Sequence, residues 1–388
     1  MNEPIARLDG WLRGEFVRVN TLLEEGYFAE RVDVISGRPD LDELKLILVR
    51  EGGPLINGVA GMELPQEAQA QYALLGMVGH YLAACQRHEA PLSERDGGRQ
   101  GAWDISTQIA TALGVTPRFV FAHQSLFNAA IGGRFHTFTS LPDEEIFIRF
   151  NALAVLGYRR AANALRDIAG MGVSNPVASY LFEDANAALR DVLRFNQELA
   201  RQLNVDRFFF NIRPYFKTYQ VNGRDHRGAN AGDFSAINEI DVILGLCRMD
   251  DDFYRSVVHE KQLHVPPEDQ PMMNALASRR SLLNLFVSEL DGAGPSAAWK
   301  ENAARYLDVC KAHAAAYAIH HQRLVKGFLE QPAAGQPTLH GAGVTSSGPP
   351  LDRVIEMLQR LLDLRSARSR PGVANAAAPL ARLREALG

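Results

Sequence analysis

The sequence predicts an all-α protein, an irregular helical bundle with a smaller helical N-terminal domain. Three observations lead there. Apolar residues recur at helical spacing through most of the 388 residues. No alternating run of strand length competes with them, and only the short aromatic stretches at 119–121 and 135–138 are ambiguous. No self-similarity occurs at a solenoid period, so the helices are expected to pack as one irregular bundle.

Taken in order, residues 1–25 place Ile5, Leu8, Leu12, Phe16, Val19, Leu22 and Leu23 on one helical face. A short amphipathic piece at 40–49 runs into the turn-rich EGGPLINGVAGM. Helical spacing resumes over 65–89 through Tyr72, Leu75, Val78, Tyr81, Leu82 and Cys85. The polar, glycine-bearing GRQGAWD then suggests a boundary, which gives an N-terminal domain of residues 1–104. The larger domain, 105–368, carries helical patterns over roughly 105–113, 143–169, 177–203, 236–246, 267–290, 299–330 and 351–366. Two long breaks interrupt it, 213–233 and 331–350, and loops of that length inside a compact domain are often functional. Residues 369–388 hold little apolar surface and read as a mobile tail.

The charge balance excludes some functions. With 41 basic and 45 acidic residues, and no basic stripe interleaved with aromatics, the chain lacks a nucleic-acid surface. Cys85, Cys247 and Cys310 are scattered through apolar helical patterns and read as reduced core residues of a cytoplasmic protein. No uncharged stretch is long enough to span a bilayer, and no signal-type apolar core opens the sequence.

The segment 299–330 is Ala-rich and free of Gly and Pro until Gly327, so it reads as one long helix. At about 100° per residue, Tyr306, Leu307, Cys310, Ala314, Tyr317, Leu324, Val325 and Phe328 form an apolar stripe, and His321 stands within it. His320 falls about 100° away, near the line of His313. An imidazole in an apolar core needs a partner, either a carbonyl in a purely structural role or a metal or haem iron. Arg213 follows Phe208, Phe209 and Phe210 and precedes Pro214, which disfavours helix at that point. Its guanidinium suits either a bound carboxylate or the dipole of a helix end. The loop GANAGD permits close backbone approach to a flat ligand, with Asp233 placed to cap the next helix. GAGVTSSG lacks the lysine of a P-loop and the preceding strand of a dinucleotide site. Its three hydroxyls could instead close over a polar amino-acid group. His259 and His264 have the wrong interval for a zincin pair, and no Gly-x-Ser-x-Gly elbow occurs.

The motifs FFFNIRPYFKTY, GANAGDFSAINEIDVILGL, HVPPEDQPMM, HHQRLVKGF and VTSSG, in that order, resemble the indoleamine/tryptophan 2,3-dioxygenase superfamily of haem proteins. HYLAACQRHEAP and FHTFTSLPDEE extend the resemblance over nearly the whole chain toward its pyrrolnitrin-biosynthetic branch, the monodechloroaminopyrrolnitrin synthases. The resemblance implies that the bundle encloses a haem pocket with His321 as the proximal iron ligand. It further implies that Arg213 holds a substrate carboxylate, that Phe209 packs near the distal haem face, and that Asn230, Ala231 and Gly232 run along the haem edge. Thr345, Ser346 and Ser347 would close over the substrate, and Phe119, Phe147 and Asn151 would line the pocket. The cofactor would be haem b, held non-covalently because no Cys-x-x-Cys-His motif is present. The substrates would be tryptophan or a related aromatic amino acid and dioxygen, with the electron donor and oligomeric state left open. In the pyrrolnitrin branch a substrate-contacting tyrosine follows the proximal histidine by two turns, where this chain has Phe328 and Leu329. The expected reaction is therefore insertion of dioxygen at the indole ring, or alternatively an oxidative ring rearrangement of a (halo)tryptophan in secondary metabolism. A haem sensor or carrier without catalysis is the non-enzymatic alternative.

Overall fold

The amphipathic spacing of the sequence becomes two hydrophobic cores joined along a seam. The computed structural model describes residues 2–91, 98–292, 294–330, 350–368 and 375–388. The first core is built by helices Glu3–Leu12, Glu15–Glu30, Pro39–Ala60, Ala68–Arg87 and Arg99–Leu113, with Leu8, Phe16, Leu23, Leu48, Ile56, Leu75 and Ile109 fully buried. The helix Arg99–Leu113 runs straight through the boundary expected at residue 104, and its Ala102, Ile105 and Ile109 share this core. The same core takes in Phe119, Phe138, Ile212, Phe216 and Tyr219 from later in the chain. Folding of the N-terminal helices is thus tied to the segment that carries Arg213.

The second core is organised by the 30-residue helix Pro142–Met171. Proline opens it and Asp143, Glu144 and Glu145 occupy its first turn, as helix N-termini favour. It packs along Ala178–Gln202 through small residues, including buried Ala161, Ala185 and Ala188. At Gly157 a Cβ would lie 2.8 Å from a Val192 methyl, so only glycine admits this approach without a shift. Ala297–Ile319 packs on the other side of Ala178–Gln202, and Ser235–Leu244 is buried against Pro142–Met171.

Several elements depart from the sequence expectation. The helix expected over 267–290 is broken into 3-10 turns and Gln270–Ala275, then restarts as Leu282–Asp291 because Ser281 Oγ accepts from the Asn284 amide at 3.2 Å. The long helix expected over 299–330 is α-helical only to Ile319. His320–Glu330 adopts π-helical hydrogen bonding, so a face drawn at 100° per residue drifts beyond that point. Inside the break 213–233 lies a hairpin, Tyr219–Val221 with Arg224–His226, turned by Asn222 (φ 49°) and Gly223 (φ 71°). Asn-Gly supplies the two positive φ angles of the tight hairpin turn. It is the one sheet among the described residues. Residues 377–387, assigned to a mobile tail on sequence grounds, form a helix. It buries Leu380 and Leu383 against Leu282–Asp291 and Ala297–Ile319, because these leucines lie one turn apart on one face. No helix among the described residues is long and apolar enough to cross a membrane.

Candidate functional site

A cavity of about 250 Å³ opens at the seam between the two cores. Phe147, Leu199, Leu203, Phe216 and Leu324 come to its wall from the first core, and Ala154, Val155, Tyr158, Phe234, Val257, Tyr317 and Leu361 from the second. An apolar cavity at such a junction, carrying a few polar groups, is where small-molecule sites commonly form.

Arg213 reaches this wall from an unusual piece of backbone. Phe208–Ile212 is π-helical, and Arg213 opens a 3-10 turn, Arg213–Phe216, with helical dihedrals of its own (φ −52°, ψ −37°). The helical path changes type at Arg213, just before Pro214, and does not become extended, because the first core clamps the segment. Arg87 donates to the Phe210 carbonyl at 3.2 Å, and Asn211 Nδ2 donates to the Glu24 carbonyl and carboxylate, both at 3.0 Å. Glu24 and Arg87 are themselves a buried pair with bonds of 2.8 and 3.0 Å. The Arg213 guanidinium stands 5.3 Å from the Phe209 ring. No carboxylate of the described residues lies within 4.0 Å of it, and burial lowers its pKa. A desolvated cation without an ion pair is costly, and among the described carboxylates only Asp33 attracts this one, from beyond 4.0 Å.

The loop expected to accept a flat ligand lines the cavity as Ala229, Asn230, Ala231 and Gly232. Arg227 locks it by gripping Asp233 at 2.8 and 3.0 Å, and Asp233 also accepts from the Asn230 amide at 3.2 Å. Asp233 was expected to cap the following helix. It turns to Arg227 instead, and Ser235–Leu244 begins without a side-chain cap. Asn151 donates to the Phe147 carbonyl at 2.7 Å, which leaves its amide oxygen for the cavity.

His320 lines the cavity, its ring near-parallel to that of Tyr317 at 6.3 Å. Burial, with Arg365 nearby, lowers its pKa to about 4, so it is a neutral imidazole at neutral pH. His321 is buried beside it in the same π segment, at 1% exposure. His320 thus faces the site more openly than an α-helical face implies. Of the other residues expected in the pocket, Phe147, Asn151, Arg213, Asn230, Ala231 and Gly232 are brought together on its wall. Phe209 is buried next to Arg213. Phe119 is not on the wall but in the first core, its ring 5.9 Å from that of the wall residue Phe216. Thr345, Ser346 and Ser347 lie outside the described residues.

Sequence reasoning overlooked Tyr158, Arg227, Lys261 and Arg365 as wall residues. For Lys261 a signal existed, since Val257 and Lys261 stand one turn apart on the Asp252–Lys261 helix and share a face. Arg365 is held by Asp241 at 2.8 and 2.6 Å, and Asp241 also pairs with His313 at 2.7 Å and accepts from the Tyr254 hydroxyl at 2.9 Å. Burial pushes the Asp241 carboxyl up, but Arg365 and His313 together hold it well below the usual carboxylate range.

The donor set fits a haem. The cavity has apolar walls for a flat macrocycle, cations for acidic edges and, for an iron, His320 on the wall, with His321 next to it in the chain and buried but not on the wall. A family model described as monodechloroaminopyrrolnitrin synthase PrnB matches residues 2–387, nearly the whole chain. Comparison with curated proteins gave no match. The chain belongs to the monodechloroaminopyrrolnitrin synthase family, and so to the haem-dependent oxygenases of the tryptophan and indoleamine dioxygenase superfamily.

Proposed function

We propose that this enzyme oxidises tryptophan or a halogenated tryptophan beside a non-covalently held haem b, in the cavity between its two cores. The observation that carries the substrate assignment is Arg213, a half-buried guanidinium on an aromatic wall that forms no ion pair with a carboxylate of the described residues, Asp33 attracting it only from beyond 4.0 Å. A substrate carrying both an aromatic ring and a carboxylate answers both features. The haem supplies the oxygen-activating redox chemistry when bound. The protein orients the amino-acid end through Arg213, presents the Asn151 amide oxygen to a substrate N–H, and excludes water with Phe147, Phe216 and Leu324. His321 is the iron ligand implied by the resemblance. His320 is the second candidate, supported by its neutral imidazole on the cavity wall. The Soret band of His321→Ala beside that of His320→Ala separates them. A cytoplasmic location accords with three buried free cysteines.

The near full-length family match favours oxidative ring rearrangement over simple insertion of dioxygen. Product mass decides, since addition of both oxygen atoms to tryptophan supports dioxygenation. For the substrate assignment the test is Arg213→Leu. Loss of a charge-assisted contact predicts about 10- to 100-fold weaker tryptophan binding. Tryptamine, which lacks the carboxylate, should bind both proteins alike. Equal losses for the two ligands would remove Arg213 from its role.

A further inference from the structure

Four cations of the described residues line the cavity, and they fall into two pairs. Arg227 is neutralised by Asp233 at 2.8 Å and approaches Glu260 at 3.2 Å, while Arg365 is neutralised by Asp241 at 2.6 Å. Arg213 and Lys261 have no carboxylate within 4.0 Å among the described residues. The Lys261 ammonium makes one hydrogen bond, to Asn238 Oδ1 at 3.3 Å, and so keeps two donors in hand. Burial brings its pKa down to about 8 despite the attraction of Asp233. Two cations on one wall, each attracted by carboxylates of the described residues but paired with none, suit two anionic groups in the contents of the cavity. The substrate carboxylate accounts for Arg213, and Lys261 still lacks its partner.

We propose that Lys261 anchors one of the two propionate carboxylates of the haem. This rests on the reading that the cavity holds haem. Lys261 adjoins Glu260, whose carboxylate approaches Arg227, and Arg227 locks the loop of small residues from Ala229 to Gly232. It also shares its wall with His320. The acidic edge of a haem ligated from this segment must reach a cation on the same side. Arg213, among Phe147, Phe208 and Phe216, instead stands where an indole ring finds aromatic company.

The test is a Soret titration of the full-length apoprotein with haemin and with haemin dimethyl ester, in which both carboxylates are blocked. Lys261→Met should bind haemin about 10- to 100-fold more weakly than the wild type, the loss expected for a charge-assisted bond. It should bind the ester as the wild type does, and Lys261→Arg should recover most of the haemin affinity. Because both ligands meet the same variant, misfolding would lower both affinities and cannot imitate the expected pattern. Equal losses for haemin and ester overturn the assignment, as does unchanged haemin affinity. Weaker tryptophan binding with intact haemin binding also overturns it, since Lys261 would then serve the substrate. A wild type that binds neither haemin nor ester removes the haem reading itself, an outcome distinct from failure of Lys261 alone.

Discussion

Replacing Arg87 by Met tests how the first core governs the site. Its guanidinium and the Glu24 carboxylate are 2% and 0% exposed, joined by bonds of 2.8 and 3.0 Å. Taking away the cation strands a carboxylate that water cannot reach, and breaking such a buried pair costs about 3–5 kcal/mol. That is a large part of the roughly 5–15 kcal/mol that holds a typical protein folded. The urea midpoint of Arg87→Met should fall accordingly at an unchanged slope. Glu24→Met/Arg87→Met should be more stable than Arg87→Met alone, because the stranded charge is gone and Asn211 still has the Glu24 backbone carbonyl at 3.0 Å. Asp33, the other carboxylate on Arg87, retains Lys217 at 3.0 Å. If the two single losses simply add in the double variant, or if Arg87→Met costs less than about 1 kcal/mol, the pair is not the uncompensated buried unit argued here.

Two further perturbations address the scaffold. Glu144 is buried, and burial raises its carboxyl to about 7 from an ordinary 4.5, against hydrogen bonds from the Phe138 and Thr139 amides at 2.7 Å. A raised acid binds more protons folded than unfolded. Stability should therefore fall as pH rises from 4.5 through 7, by on the order of 3 kcal/mol, and Glu144→Gln should flatten the urea midpoint across that window. A wild-type midpoint that rises over the same range would contradict the sign. At Gly79 a Cβ would lie 2.6 Å from the Phe119 backbone nitrogen and 2.7 Å from its Cβ. Gly79→Ala should cost about 1–3 kcal/mol in thermal or urea unfolding, and a neutral result would mean that the 119–121 segment yields.

Much of this arrangement was legible in the sequence, for reasons that particular residues make clear. Helical periodicity identified the long elements because each buries one continuous face, as Pro142–Met171 does through Phe147, Ala154, Ala161, Leu165 and Ile168. Asn222-Gly223 carried a hairpin signal, but strands of only three residues are too short to register as alternation. The cavity residues Arg213 and Asn230 to Gly232 could be named because composition marks them, a cation after an aromatic run and a run of small residues. Lys261, Arg227 and Arg365 look like ordinary surface charges in the sequence. What sets Lys261 apart is that no carboxylate of the described residues pairs with it, and that depends on Asp233 and Asp241 being claimed by the two arginines and Glu260 turning to Arg227. Such a property belongs to the folded arrangement and has no local spacing.

The two π-helical segments among the described residues connect these observations. Phe208–Ile212 leads into Arg213, and His320–Glu330 carries the two histidines. The segments pack against each other, and both reach the same cavity. A π register is poorer in energy than an α-helix and persists only where tertiary contacts favour it, which is why it concentrates at functional sites. Here the first segment is secured by Glu24 and Arg87 of the first core. The second continues a helix whose His313 is tied to Asp241, a residue that also binds Arg365 of the Leu351–Arg365 helix. Arg213 is therefore clamped by the first core, whereas the helix leading to the candidate iron ligands is tied into the second and meets the first only further on, at Leu324. Their separation depends on how the cores meet along the seam, so a substitution in the Glu24 clamp, which holds the Arg213 segment and not the His313 helix, should change tryptophan affinity more than haemin affinity.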